Sequence, residues 1–148
     1  MNERIIQFIL SQTVAHICCI DEQHNPYCFS CFYAFDKENE LLYFKSSAKT
    51  HHIPILLQNP VIAGTIQPDK LNRMAIKGIQ FTGRILSSDH PLSIEASSAY
   101  HKEYPFAYAM KGEVWALQLD WVKMTDNTLA FGKKIIWERA TNSSELVP

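Results

Sequence analysis

Apolar residues fall into two rhythms along this 148-residue chain. Near the start, Ile5, Ile6, Phe8, Ile9 and Leu10 gather on one side of a helical wheel. That predicts an amphipathic helix over residues 2–12 with Asn2 as its N-cap. Beyond it the period drops to two, or the apolar runs become short and continuous, as in strands. Thr13 to Ile20 and Tyr27 to Phe35 predict a hairpin across the turn-rich hexapeptide DEQHNP. Leu41 to Phe44 predict a third, buried strand after the charged turn DKENE. Lys45 to Thr50 then read as a polar turn, and Ile53 to Leu57 as a short helix ended by Pro60. Pro54 is tolerated only in a first turn, which places the start of that helix between Thr50 and Ile53.

The second half continues in the same manner. Val61 to Ile66 is a short buried strand. Ala75 to Ser87 is a long one in which Ile76, Ile79, Phe81 and Ile85 carry the apolar load, with Gly78 and Gly83 as sites for a bend or bulge. A third helix is expected from Pro91, capped by Asp89 or His90 and stopped before Pro105. From Val114 to Val122, Trp115, Leu117, Leu119 and Trp121 alternate with smaller or polar residues, as in a strand with one aromatic face. A turn at Asp126 and Asn127, an apolar patch and a strand ending in Trp137 close a single domain over residues 1–140. Residues 141–148 read as a polar tail that frays. Six or seven strands in runs, with three short helices, imply a mainly β (α+β) antiparallel barrel with small helices at its ends.

Composition narrows the function classes. Hydrophobic residues make up 47% of the chain and charged residues 20%, which is ordinary for a globular domain with a core of its own. A formal net charge of -1 argues against nucleic acid or an acidic membrane as the main partner. The start carries Glu3 and Arg4 and then a short apolar run broken by Gln7, so neither a signal peptide nor a membrane span is expected, and the cytoplasm is the expected location.

Candidate chemistry concentrates in few places. Cys28 and Cys31 have C-x-x-C spacing, but residues three apart on a strand point to opposite faces, so a shared zinc ion is not expected. The hairpin register suggested by the sequence sets Cys19 opposite Cys28, and buried reduced thiols are expected. His51 and His52 are adjacent and must diverge, which suits capping or surface roles. His16 on an apolar strand reads as a core histidine, and Asp120 and Asp126 as turn or edge residues. No glycine-rich phosphate loop or paired-carboxylate motif is present in the sequence. The turn Lys45-Ser46-Ser47-Ala48-Lys49 stands out instead, because two hydroxyls, two ammonium groups and nearby backbone N–H donors make a seat for a phosphate. The second strand is apolar on both faces, with Tyr27, Phe29, Cys31, Tyr33 and Phe35 on one side and Phe32 and Ala34 on the other. It therefore needs a second cover, either a partner subunit or a flat cofactor.

With that strand order, Ser47-Ala48-Lys49 before a helix, the AGT of Ala63 to Thr65 and GIQFTGRI of Gly78 to Ile85, the chain resembles the pyridoxamine 5'-phosphate oxidase-like FMN-binding split barrels. The run VKMTDNTLAFGKKIIWER resembles the C-terminal signature of a small, functionally uncharacterised bacterial branch of that superfamily. The resemblance implies a homodimer with FMN in grooves between subunits, and a flavin-dependent oxidoreductase that draws on a nicotinamide cofactor or another electron donor. It carries the phosphate contact onto Ser47 and Lys49, with Lys45 and Ser46 just before them. The backbone around Ser30 and Cys31 would run along the isoalloxazine ring, Gln80 would reach the flavin or its ribityl chain, and Trp115 would approach from the partner subunit. The chain also departs from the oxidases themselves. Cys28 and Tyr33 stand where they carry an Arg and a Lys for the phosphate, leaving Lys133 and Lys134 as possible compensation, and the contacts to pyridoxal phosphate have no match. Pyridoxamine phosphate oxidation is therefore not expected. The alternatives are a non-catalytic module that binds flavin, haem or another planar ligand, with His16, His51, His52 or His101 as haem ligands, and a barrel that acts only as an interaction domain.

Overall fold

The structure, a computed structural model, describes residues 1–128 and 133–141. Ten main elements follow in order: α1 (Glu3–Ser11), β1 (Val14–Ile20), β2 (Pro26–Asp36), β3 (Leu41–Ser46), α2 (His52–Gln58), β4 (Val61–Ile66), β5 (Lys77–Ile85), α3 (Ala96–Glu103), β6 (Glu113–Asp126) and β7 (Lys134–Glu138). All strand pairs are antiparallel. The sheet runs β3-β2-β1-β4-β5-β6-β7, and a further pairing of β3 with β6 closes the first six strands into a barrel. No helix among the described residues is long and apolar enough to cross a membrane.

The barrel interior is filled by alternate residues of each strand. Ala15, Ile17 and Cys19 of β1, Leu42 and Phe44 of β3, Ile79, Phe81 and Ile85 of β5, and Leu117, Leu119, Val122 and Met124 of β6 form one cluster. The two short helices plug it. On α1, Asn2 accepts a hydrogen bond from the Arg4 backbone as N-cap, and Ile5, Phe8 and Ile9 turn inward. The Tyr33 hydroxyl fixes the helix end by donating to the Ile9 carbonyl at 2.6 Å. Helix α2 adds Ile53, Ile55 and Leu56, with Pro54 in its first turn as expected. A second, smaller cluster lies outside the barrel wall, where α3 covers Ala34, Leu41 and Tyr43.

Several sequence expectations are corrected. The hairpin pairs Cys18, not Cys19, with Cys28, and these two form a disulfide. The loop is five residues long rather than six, because the Asp21 carboxylate accepts from the backbone N–H groups of Gln23 and Asn25 and draws Pro26 into the strand. Cys19 and Cys31 remain free thiols. His16 is exposed on the outer face of β1, with Nδ1 2.9 Å from the Ser30 hydroxyl, rather than in the core. Ile76 precedes β5 and is 55% exposed, since a period of two that points Ile79 inward turns an even-numbered neighbour out. Trp121 leaves the face it was expected to share with Leu117 and Leu119. The register of β5 against β6 slips between Thr82 and Gly83, so Asp120 is an extra residue and Val122 and Met124 take over the inward positions. The expected third helix breaks into a single 3-10 turn at Pro91–Ser93, capped by His90, and α3. Asp126 is buried rather than an edge residue, paired with Lys77 at 3.8 Å. The apolar patch expected after Asn127 and most of the polar tail lie outside the described residues.

At the bulge, a Cβ on Gly83 would run into the backbone carbonyl of Gln118, whereas one on Gly78 would meet nothing nearer than the Ile66 carbonyl at 3.6 Å. Gly83→Ala should therefore cost about 3 kcal/mol of stability, as overpacking against backbone does, while Gly78→Ala stays within about 1 kcal/mol of the parent. Urea unfolding of the two variants checks this, and equal midpoints would show that the bulge tolerates a side chain.

Candidate functional site

The ladder between β2 and β3 runs only from Tyr33↔Phe44 to Asp36↔Leu41. Beyond Phe44, β3 continues to Ser46 against β6, while the first half of β2 stays with β1. The wall is thus split between Tyr27–Phe32 on one side and Lys45–Ser46 on the other, and the polar turn 47–50 stands at the mouth of the split.

Local hydrogen bonds set the shape of that turn. Ser47 Oγ accepts from the Lys49 N–H at 3.2 Å, and the Ser47 carbonyl accepts from the Thr50 N–H at 3.1 Å and the Thr50 hydroxyl at 2.9 Å. The Ala48 N–H instead points out of the turn and donates to Glu113 Oε2 at 3.1 Å. Gly112, with φ +129, presses on the turn from the other side; a Cβ there would lie 2.9 Å from Ser46 C and 3.0 Å from Ser47 N. Trp115 donates its indole N–H to the Ser46 carbonyl at 2.9 Å. Lys49 is exposed.

The two histidines that follow diverge. His51 meets Tyr27 edge-on with ring centroids 4.7 Å apart, and His52 lies flat on Phe29 at 3.7 Å. His52 Nε2 sits 2.8 Å from Ser46 Oγ. Burial, and secondarily the neighbouring His51, hold the His52 imidazole below its usual value near 6.5, so it is neutral at pH 7. On the opposite side of β3, Lys45 donates to the Ala107 carbonyl at 2.6 Å and lies 3.0 Å from His101 Nε2. His101 Nδ1 lies 2.8 Å from the Ser97 carbonyl, so the proton belongs on Nδ1 and Nε2 accepts from the ammonium. Tyr108 stacks over that ring at 4.0 Å.

The sequence-derived site residues therefore fall into groups. Ser46, Ser47 and Lys49 share the turn, and Trp115 packs on it from its own chain. Lys45 belongs to the α3 side of the strand. Ser30 and Cys31 lie on the half of β2 that borders the split; the Ser30 hydroxyl faces out to His16, and Cys31 points inward, where burial pushes its thiol up to about 12. Gln80 is elsewhere. It pairs with Lys123, while Ser46 pairs with Glu113 ten residues back on the same strand (123 against 113), on the order of 30 Å at the usual rise. Lys134 pairs with Thr125, further along still. The two positions that carry cations in the oxidases are otherwise occupied, Cys28 by its disulfide and Tyr33 by Ile9. Glu113 and Gly112 escaped the sequence reading; the only signal was a KGE just ahead of a strand, and nothing in it says which turn it will meet.

No protein-family model matches the chain. The UPF0306 protein plu4501 of Photorhabdus laumondii is 35% identical over 138 residues, spanning 93% of this chain and 96% of that protein. This chain belongs to the UPF0306 family. UPF0306 protein YhbP of an Escherichia coli strain matches as well, at 35% over 121 residues, 82% of this chain and 86% of that one. Among solved structures, this UPF0306 chain is similar to a heme binding protein from Mycobacterium smegmatis, with TM-score 0.71, 15% identity and coverage of 86% of this chain and 53% of that one. It is also similar to a pyridoxamine 5'-phosphate oxidase-related, FMN binding protein from Nostoc punctiforme, with TM-score 0.67, 10% identity and coverage of 93% and 90%. Its fold is the split barrel that these two structures share.

The geometry at His52 yields a pH dependence. Because the folded state resists protonation of His52, the unfolded chain binds the proton first as pH falls below about 6.5. The stability tied to this group is complete above that pH and is lost as pH falls through the depressed native value. His52→Asn should flatten the stability profile below about pH 6.5. Proton NMR should find the His52 ring titrating below the usual value, and a titration at or above it would contradict the burial argument.

Proposed function

We propose that this UPF0306 chain binds FMN between two copies of itself and works as a flavin-dependent oxidoreductase. The single observation that carries the reading is the split in the barrel wall, where the first half of β2 has lost its β3 neighbour on one side and a turn that already holds a carboxylate stands on the other. A turn that seats one oxyanion on a backbone N–H, beside the Ser47 hydroxyl and the exposed Lys49, has the donor chemistry a phosphate monoester needs. Helix α2, seven residues long with a proline in its first turn, adds little to it.

When bound, the isoalloxazine supplies the hydride or electron chemistry. The chain's own residues would hold and orient it. Ser47 and Lys49 take the phosphate, and the Ser30–Cys31 backbone lines the ring. With its thiol buried and protonated, Cys31 adds bulk rather than a nucleophile. Trp115 and the His52–Phe29 stack limit water at the closed end. Gln80, remote from the turn within one chain, would reach the flavin from the second copy. Phe32, 51% exposed on the outer face of β2, is the kind of residue a second copy would cover. Electrons would come from a nicotinamide or another donor.

Haem has less support. Of the four histidines considered, His101 has both ring nitrogens engaged, by Lys45 and the Ser97 carbonyl, His52 has Nε2 held by Ser46 and its ring stacked on Phe29, His16 has Nδ1 held by Ser30, and His51 packs edge-on against Tyr27.

Purified protein mixed with FMN and freed of excess should keep a flavin absorption spectrum, and Ser47→Ala with Lys49→Ala should lose it, weakening binding by about a hundredfold for two charge-assisted contacts. A colourless product, or a spectrum acquired with haem alone, would overturn the flavin reading. Light scattering at micromolar concentration should return twice the 17.0 kDa chain mass, and the monomer mass would end the shared-site reading.

A further inference from the structure

Resting on that reading, we infer that Glu113 is a built-in competitor for the phosphate seat: its carboxylate occupies the Ala48 N–H that a phosphate would use and must be expelled when the flavin nucleotide binds.

The backbone leaves Glu113 little choice of position. It is the first residue of β6 and pairs directly with Ser46, the last of β3. Gly112, immediately before it, lies so close to the Ser46–Ser47 backbone, and at so positive a φ, that any side chain there would be strained. With residue 112 pressed against the turn, residue 113 is delivered across from it and its carboxylate reaches Ala48 at 3.1 Å. The other two amides of the turn that have partners within it, Lys49 and Thr50, are spent on Ser47. Ala48 directs its donor out of the turn, and a carboxylate is on it.

Two anions cannot share that donor. A phosphate entering beside Ser47 and Lys49 meets the Glu113 charge within a few ångströms, and like charges at that separation repel appreciably even at a wet surface. Glu113 is exposed, so it has somewhere to swing. The consequence is selective. Only ligands with a phosphate at this point feel the carboxylate; a flavin without one binds the split regardless of the charge at residue 113.

The test compares FMN with riboflavin, which has the same ring and ribityl chain and no phosphate, by fluorescence titration of the full chain. Glu113→Gln keeps an acceptor for Ala48 and removes only the charge, and Glu113→Asp keeps the charge on a shorter arm. Glu113→Gln should bind FMN about tenfold more tightly than the parent, with riboflavin affinity unchanged and Glu113→Asp close to the parent for both. If the parent binds FMN and Glu113→Gln binds it no better, the competitor role is overturned while the flavin reading stands. An equal gain for riboflavin also overturns it, because the effect would then be general loosening rather than charge. If neither parent nor Glu113→Gln takes up FMN, both readings fall together. FMN uptake by Glu113→Gln alone would overturn the reading that the parent chain binds FMN, and with it a competitor that the nucleotide expels.

Discussion

The structure depends on the double commitment of β3. Six residues long, this strand gives four of them to β2 and all six to β6. Leu41, Leu42, Tyr43 and Phe44 are buried, two facing the barrel interior and two the layer beneath α3, so the strand is held by packing on both faces as well as by ladders on both edges. Once it closes the barrel onto β6, its last two residues lose contact with β2, and the wall opens there. The candidate site is therefore a product of closure, positioned by the same pairing that sets Glu113 opposite Ser46.

Closure also explains what the sequence made legible. Val61–Ile66 matches its strand residue for residue, because a short apolar run bounded by Pro60 and a polar loop has few other uses. The capped first helix and the proline-started second were equally readable, since capping and ring geometry act within a few residues. The failures were register failures. Nothing local in the sequence marks Asp120 as the extra residue that turns Trp121 outward, and nothing local says that Asp21 will shorten the hairpin loop and bring Cys18 rather than Cys19 to Cys28. The site was legible in the same measure. Ser46, Ser47 and Lys49 are contiguous and were found together. Glu113, more than sixty residues away in sequence, arrives through β3–β6 pairing, which no window of sequence contains.

The polar and thiol groups around the candidate site are largely occupied with one another. The Cys31 thiol is buried and held protonated, and the nearby histidines are engaged with serine, lysine or aromatic rings. No group of three or more potential metal ligands comes together among the described residues. The fold is one this chain shares with a heme binding protein and an FMN binding protein.

The clasp at the far end of the chain bears on how the protein comes to be folded at all. Arg139, just past β7, donates to the carbonyls of Asn39, Glu40 and Leu119 and pairs with the Glu40 carboxylate at 3.5 Å, tying the end of the sheet to a turn about a hundred residues earlier. The β3–β6 ladder has nearly as long a reach, Leu41 against Gln118. During synthesis the first four strands emerge before the partner that closes the barrel, because the second edge of β3 pairs only with β6 in the last third of the 148 residues. Long loops of this kind close slowly. Until β6 has been made, β3 lacks the partner of its second ladder, and its unpaired edge is the one most exposed to wrong pairing.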